Sequence, residues 1–329
     1  MTVINNIDID CINYKMNDAK YAILNNDPIE EKLNVIIVVS NPCLYGTRYK
    51  LANEFIKRME EEEEHVNLFV VELIYPKQKY MITDKDNERH LQIETDVPLW
   101  HKENMVNLGV TYLLPKNYKA FAWIDADVEF ENTTWAMDTL KILNGSKDIV
   151  QVFSHCVDMD KDESNLNIFN SFGYKYSKNK KYTTKGSNFW HPGYAWAITR
   201  KAYERIGGLY DKGILGSGDN IIALSLINRV GHSLNMDYHE GYKSSILEYQ
   251  KKAKGLRLGY VPGVIRHFFH GKKKNRNYIE RWKILIQHAF SPVTHVKYDK
   301  KGILVPTEEF SPEFRNDILN YFKERNEDE

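Results

Sequence analysis

Cysteine is scarce in this chain: three residues in 329, Cys11, Cys43 and Cys156. Thiols so few and so scattered build no disulfide framework, and none stands in the Cys-x-x-Cys pair that would suggest zinc. A reducing compartment is expected. Long apolar runs are missing as well. Nowhere do the ~18 consecutive apolar residues of a membrane-spanning helix occur, and the opening stretch MTVINNIDIDCINYKMNDAK lacks the basic-then-apolar order of a secretory signal. The expectation is a soluble, intracellular protein without a transmembrane segment. Net charge is absent too, with Lys+Arg 45 against Asp+Glu 45. That balance removes any global pull toward nucleic acid or membrane, so a charged ligand must be held by a local site. No internal repeat is visible. What is present is 42% hydrophobic content, enough for a sizeable core in roughly two average domains or one large α/β domain.

Period and breaker residues organise the first half. NVIIVVS (34–40) is a continuous β-branched run, the pattern of a strand buried on both faces, and it ends at Asn41-Pro42. Thr47 is a candidate cap for a helix carrying Tyr49, Ala52, Phe55, Ile56 and Met59. VNLFVVELIYP (66–76) predicts a second strand, and Trp100, Val106, Val110, Leu113 and Leu114 a second helix ending near Pro115. AFAWIDADVEFEN (120–132) supplies a third strand. Asn132 or Thr133 then caps a helix with Trp135, Leu140 and Leu143, and IVQVF (149–153) makes a fourth strand. Strands alternating with helices over the first 155 residues imply a parallel sheet covered by helices on both faces.

In such sheets ligands bind beyond the carboxyl ends of the strands, where Asp125 and Asp127 stand. Alternation sends residues 125 and 127 to the same side, so the pair can present oxygens to one hard cation, Mg²⁺ or Mn²⁺, and a cation there can bridge a diphosphate. The competing account makes Asp125 a turn cap and Asp127 and Glu129 solvated loop acids.

Two further blocks carry chemistry. In residues 188–231, GYAWAIT suggests a strand, Thr199 caps a short helix ended by Gly207-Gly208, and GILGSGDN leads into a buried helix stopped by Gly231. Asp219, at the head of that helix, is either its N-cap or a carboxylate brought to a ligand by the glycine loop, and the two roles are compatible. In residues 260–282, His267 and His270 lie near Lys272, Lys273, Lys274, Arg276 and Arg281. That local basic surface could neutralise a diphosphate, with one histidine completing the cation's shell. The plainer account is a solvated basic helix start. No nucleic-acid-binding module accompanies the patch, so no nucleic-acid partner is expected.

Together these blocks resemble glycosyltransferases of the GT-A fold, similar to the inverting family 2 enzymes, with features of the β-1,4-galactosyltransferases, over about residues 34–283. The resemblance implies an α/β, Rossmann-like, mostly parallel central sheet flanked by helices. It also implies a nucleotide-sugar half at 34–155 and an acceptor and catalytic half at 156–290, between an extension at 1–33 and a helical tail at 291–329. By the same resemblance Asp127 is the principal ligand of Mn²⁺ (or Mg²⁺), seconded by Asp125, and VIRH points to His267, with His270 close by. SNPCLYGTRY is similar to the nucleotide-binding loop, giving Ser40, Asn41 and Arg48. WHKENMVNLGVTYLL places Lys102 and Asn104 near the nucleotide, and Glu72 is a candidate base or ribose contact. Asp219 corresponds to the general base. The sequence departs from the family pattern where Ser217-Gly218-Asp219-Asn220 leaves one acid in place of Glu-Asp, and where Val264 replaces the galactosyltransferase methionine before the histidine.

The implied reaction moves a hexose from a nucleotide diphosphate sugar, a UDP-sugar in the first instance, to a glycan or other hydroxyl acceptor with inversion. Arg276, Tyr278 and Arg281 would assist the departing diphosphate. Trp190 and Tyr194 offer apolar faces to a sugar or pack in the core, and residues 174–188 form a loop that could order over the donor or simply cover the surface. The alternatives are a sugar-phosphate nucleotidyltransferase, for which NPCLYGTRYK is a poor glycine-rich loop, and a non-catalytic carbohydrate-binding protein. Residues 311–329 predict an amphipathic helix with a frayed acidic end.

Overall fold

In the computed structural model, which describes residues 3–4, 7–8, 18–183, 189–276 and 281–329, the runs with no polar face become the central strands. Helix α1 (Asp18–Asn25) precedes β1 (Leu33–Ser40), α2 (Gly46–Glu61), β2 (Val66–Ile74), β3 (His90–Glu94), α3 (Lys102–Tyr112) and β4 (Ala120–Ile124). Val35, Ile36 and Ile37 alternate between the two faces of β1 and are all fully buried, as a strand covered on both sides requires. Ile36 joins a core with Leu108 of α3 and Trp123. Ile37 joins another with Phe55 of α2 and with Trp135. The sheet thus divides two cores.

The chain continues through β5 (Val128–Phe130), α4 (Trp135–Leu143), β6 (Ile149–Gln151), β7 (His155–Met159), β8 (Asn165–Ser171), α5 (Phe172–Ser177), β9 (Trp190–His191) and β10 (Ala195–Thr199). Then come α6 (Arg200–Ile206), α7 (Gly218–Leu226), α8 (Glu240–Ala253), β11 (Leu258–Tyr260), β12 (Val264–His267) and α9 (Arg281–Gln287). A hairpin of β13 (Val296–Tyr298) and β14 (Leu304–Pro306) leads to α10 (Pro312–Glu324).

Seven strands form the central sheet in the order β11-β6-β10-β4-β1-β2-β3. β4, β1, β2 and β3 are mutually parallel, and β11 is parallel to β6. The result is a mostly parallel sheet flanked by helices. The strands expected in the first 155 residues, β1, β2, β4 and β6, all run the same way as expected, with β10, from the GYAWAIT segment, inserted antiparallel between β4 and β6.

A second sheet, β9-β8-β7-β12-β5, begins where the first ends. β4 stops at Ile124 and β5 starts at Val128, so Asp125, Ala126 and Asp127 are the bend between the sheets. β12 pairs antiparallel with β5, setting His267 opposite Val128, and parallel with β7, setting His267 opposite Asp158.

Several helix ends differ from expectation. α6 is capped as predicted: Thr199 Oγ1 accepts from the Ala202 N–H at 3.3 Å, and Gly207 at φ 75° closes the helix. α2, however, begins at Gly46 without a cap from Thr47, and its free Gly46 and Thr47 N–H groups donate to Asp328 at 3.0 and 2.9 Å. α4 begins at Trp135, with the Asn132 side chain accepting from the Thr134 N–H at 3.0 Å. α7 ends at Leu226, ahead of Gly231. α10 buries Phe314, Ile318, Tyr321 and Phe322 as an amphipathic helix should, yet its acidic end is not frayed, since Glu327 is 1% exposed. Among the described residues no helix is long and apolar enough to cross a membrane.

Candidate active site

The bend between the sheets concentrates charge. His270 Nε2 lies 2.9 Å from Asp127 Oδ2, and His267 Nε2 lies 3.8 Å from the same oxygen. Register explains the approach: the Phe268 N–H donates to the Asp127 carbonyl at 2.8 Å, continuing the β5–β12 ladder to the bend. Asp127, His267 and His270 are the one group of three such side chains among the described residues whose ligand atoms all lie within 4.8 Å of one another.

These residues fit a divalent cation. His267 Nδ1 is 2.7 Å from Asp158 Oδ1, a partner that accepts the ring N–H and leaves a lone pair on Nε2. That lone pair faces His270 Nε2 at 3.3 Å and the Asp127 carboxylate. Burial pulls the His267 pKa down, so the ring does not supply a proton to fill the gap. Asp127 Oδ1 is buried without a hydrogen-bond partner. Burial would push the Asp127 carboxyl up, but His270 beside it holds it below the usual carboxylate range. Two imidazoles and one carboxylate suit Mn²⁺ better than Mg²⁺, which prefers an all-oxygen shell.

Asp125 faces a different partner. Its N–H donates to the Tyr194 carbonyl at 2.8 Å, and its carboxylate pairs with the Lys102 ammonium at the start of α3. Tyr194 holds φ at 80°, a left-handed conformation uncommon outside glycine, and its ring stacks on His191 with centroids 4.3 Å apart. Asp125 is therefore a partner of Lys102 and is not among the three clustered ligands.

Asp219 meets the same loop from the other side. Ser217 is the N-cap of α7, and Asp219 is the second helical residue, its Oδ1 accepting from the Asn220 N–H at 2.7 Å. Its Oδ2 hangs over Gly193, where a Cβ would sit 3.1 Å away. Gln151 fixes the loop, donating to the His191 and Gly193 carbonyls at 2.9 Å each. Asp219, Asp125 and Glu103 all act on the Lys102 ammonium; burial opposes its charge, but the three carboxyls together raise its pKa.

Glu103 is an acid that the sequence pattern did not single out. A side chain at Gly218 would overlap its carboxyl group, so the GSGDN glycine is needed for close packing. Burial pushes the Glu103 carboxyl up to about 8 from 4.5. Between those values the folded protein holds a proton that the unfolded chain has lost. Stability from this group is therefore full below the lower value and declines toward the upper one, by up to about 1.4 kcal/mol per pH unit. Glu103→Gln cannot ionise. The wild type's stability should fall relative to the variant's between about pH 5 and 8, and thermal denaturation of both across that range checks it.

Three solved structures resemble the chain at low identity. A Drosophila β1,4-galactosyltransferase 7 variant in complex with manganese, UDP-Gal and xylobiose matches at 9% identity and a TM-score of 0.39, covering 82% of this chain and 87% of its own. A mannosyltransferase from Pyrobaculum calidifontis in complex with GDP-Man and Mn²⁺ matches at 13% and 0.42, covering 92% and 75%. A putative glucose-1-phosphate thymidylyltransferase from Bacillus anthracis matches at 10% and 0.34, covering 71% and 88%. No protein-family model and no curated protein sequence matches the chain.

The other candidate residues divide. Arg276 donates to His270 Nε2 at 2.9 Å, and Arg281 donates to Ser217 Oγ at 2.7 Å, so both lie beside the site. Arg48 reaches it through Glu327, at the far end of the chain. Ser40 bonds the Tyr75 hydroxyl at 2.7 Å, and Asn41 shapes its own loop through two bonds to the Tyr45 backbone. Glu72 is committed elsewhere: its two oxygens accept from the N–H groups of Met81, Ile82 and Thr83 and from the Thr83 hydroxyl. Asn104 is likewise occupied, donating to Asp211 and Gly302 and accepting from the Leu304 N–H. Trp190 is 4% exposed and packs edge-on against Phe172 and Tyr182, a core position. Tyr194 stays in the site, 4.6 Å from the His267 ring. Tyr278 and residues 184–188 of the predicted loop lie outside the described residues.

Proposed function

We propose that this protein is a metal-dependent glycosyltransferase of the GT-A type that moves a hexose from a nucleotide diphosphate sugar, a UDP-sugar in the first instance, to a hydroxyl acceptor. One observation carries the reading. The bend after β4 brings a cation-binding trio, Asp127, His267 and His270, to one side and a carboxylate over a glycine loop, Asp219 on Gly193, to the other. A site for a diphosphate and a site for a proton acceptor thus flank one strand end.

Bound there, a divalent cation supplies electrostatic neutralisation of the diphosphate. Asp158 holds His267 in the tautomer that presents Nε2 to the cation site. Arg276 adds positive charge beside His270. Asp219 takes the acceptor's hydroxyl proton as the acceptor oxygen bonds to the anomeric carbon, and the bond from that carbon to the diphosphate breaks with its electron pair leaving on the phosphate oxygen. Attack opposite the leaving group inverts the anomeric centre. Lys102, paired with Asp125, fixes that side chain near the donor side.

Incubation with a panel of nucleotide sugars and Mn²⁺ tests the reading. The expected result is release of nucleoside diphosphate from one of them, abolished by a chelator. Release of pyrophosphate from a nucleoside triphosphate and a sugar phosphate would assign a nucleotidyltransferase instead. Binding of free glycan without release from any donor would assign a carbohydrate-binding protein.

A further inference from the structure

The segment beyond α10 packs its acids against polar groups beside this site. Arg48 Nη2 donates to Glu327 Oε1 at 2.8 Å while Arg48 Nε bonds Oε2, and Arg325 Nε donates to Oε1 at 2.6 Å. Glu327 Oε2 also lies 3.8 Å from His270 Nδ1, on the ring whose Nε2 faces Asp127. One residue on, Asp328 accepts the first two N–H groups of the 16-residue helix α2. The backbone lies against Gly271, where a Cβ would meet Glu327 Cα at 2.8 Å.

We propose that Glu327 and Asp328 are an intramolecular stand-in for the donor's diphosphate: the two successive carboxylates hold the phosphate positions between the metal-ligating histidines and the amino end of α2, and they leave when the donor binds. This rests on the donor reading above. The partners are those a diphosphate takes, a guanidinium fork and free N–H groups at a helix amino terminus. Both anions cannot stay. A diphosphate that engaged Arg48 would strip Glu327 of one of its two guanidinium partners inside a buried site and set like charges against each other. The anchor for such an exchange is in place, since Phe322 stacks on Trp100 at 6.5 Å and Arg325 lies over the same ring at 5.0 Å. Asn326 holds φ at 40°, a turn from which the two acids can swing out while α10 remains docked.

The test is binding of inorganic pyrophosphate with Mn²⁺, by calorimetry, to the unaltered chain and to a Glu327→Gln/Asp328→Asn variant. The variant is expected to bind about fivefold or more tightly, because the closed segment lowers the competent fraction of the unaltered chain. In the unaltered chain, pyrophosphate with Mn²⁺ should also speed amide hydrogen exchange at residues 326–328 and leave α10 unchanged. This second measurement decides the matter if the variant does not fold. Equal affinities, or exchange at 326–328 that is unchanged or slowed, would overturn the stand-in while leaving the donor reading intact. Failure of both proteins to bind pyrophosphate would remove the donor reading and the inference together.

Discussion

Asp127→Ala is expected to abolish Mn²⁺-dependent nucleotide binding and turnover together. The carboxylate is the shared neighbour of His267 and His270, and without it the remaining donors are the two imidazoles. Loss of a group that only orients a ligand costs about 10- to 100-fold in metal affinity, so loss of the charged ligand itself should cost more than about 100-fold. The fold should tolerate the change, since the carboxylate's contacts are to His267 and His270 within the site and the Asp127 carbonyl keeps its bond from the Phe268 N–H. Calorimetric titration of Mn²⁺, alone and with a nucleoside diphosphate, measures this. A variant that still binds the nucleotide tightly in a Mn²⁺-dependent way would place the cation elsewhere.

The second large effect is expected of Asp219→Asn. Because Ser217, not Asp219, is the N-cap of α7, the substitution leaves the cap position untouched, and the amide oxygen of Asn can still accept from the Asn220 N–H. Stability should change by no more than about 1 kcal/mol. Proton removal from the acceptor is a separate matter, as an amide cannot accept that proton. A positioned general base contributes about 10²- to 10⁴-fold, so transfer should drop by that factor with donor and metal binding unchanged. Transfer within about threefold of wild type, or a product with retained anomeric configuration, would remove Asp219 from the base role.

These two residues were legible because each follows a strong local signal. Asp127 closes a strand with no polar face, and Asp219 follows a glycine-rich turn into a buried helix. His267 and His270 were legible as a pair beside basic residues, and the structure brings both to Asp127. Glu72 and Asn104 show the limit. A polar residue at a strand end or helix start looks the same in sequence whether it faces a ligand or ties down a loop, and both of these tie down loops. Asp158 was invisible for another reason. It alternates with apolar neighbours in a short strand, and only the register of β7 against β12 turns it toward His267. The second sheet was equally hidden, since its strands are short and its pairings run between distant segments. Glu327 was the hardest, because an acidic run after a helix ordinarily belongs to solvent and here Glu327 alone of that run is 1% exposed.

Sequence separation at the site has a kinetic consequence. Asp158 and His267 are 109 residues apart in the chain, and Arg48 and Glu327 are 279 apart. Closing loops of that length precedes any gain from the contacts they bring, whereas β1, α2 and β2 assemble from neighbours. During refolding the first half of the central sheet can therefore regain its backbone hydrogen bonds while the bend after β4 still lacks both histidines. Cation affinity should be among the last properties to return, and a chain released before β12 is made would carry Asp125 and Asp127 as a pair of acids with no imidazole beside them.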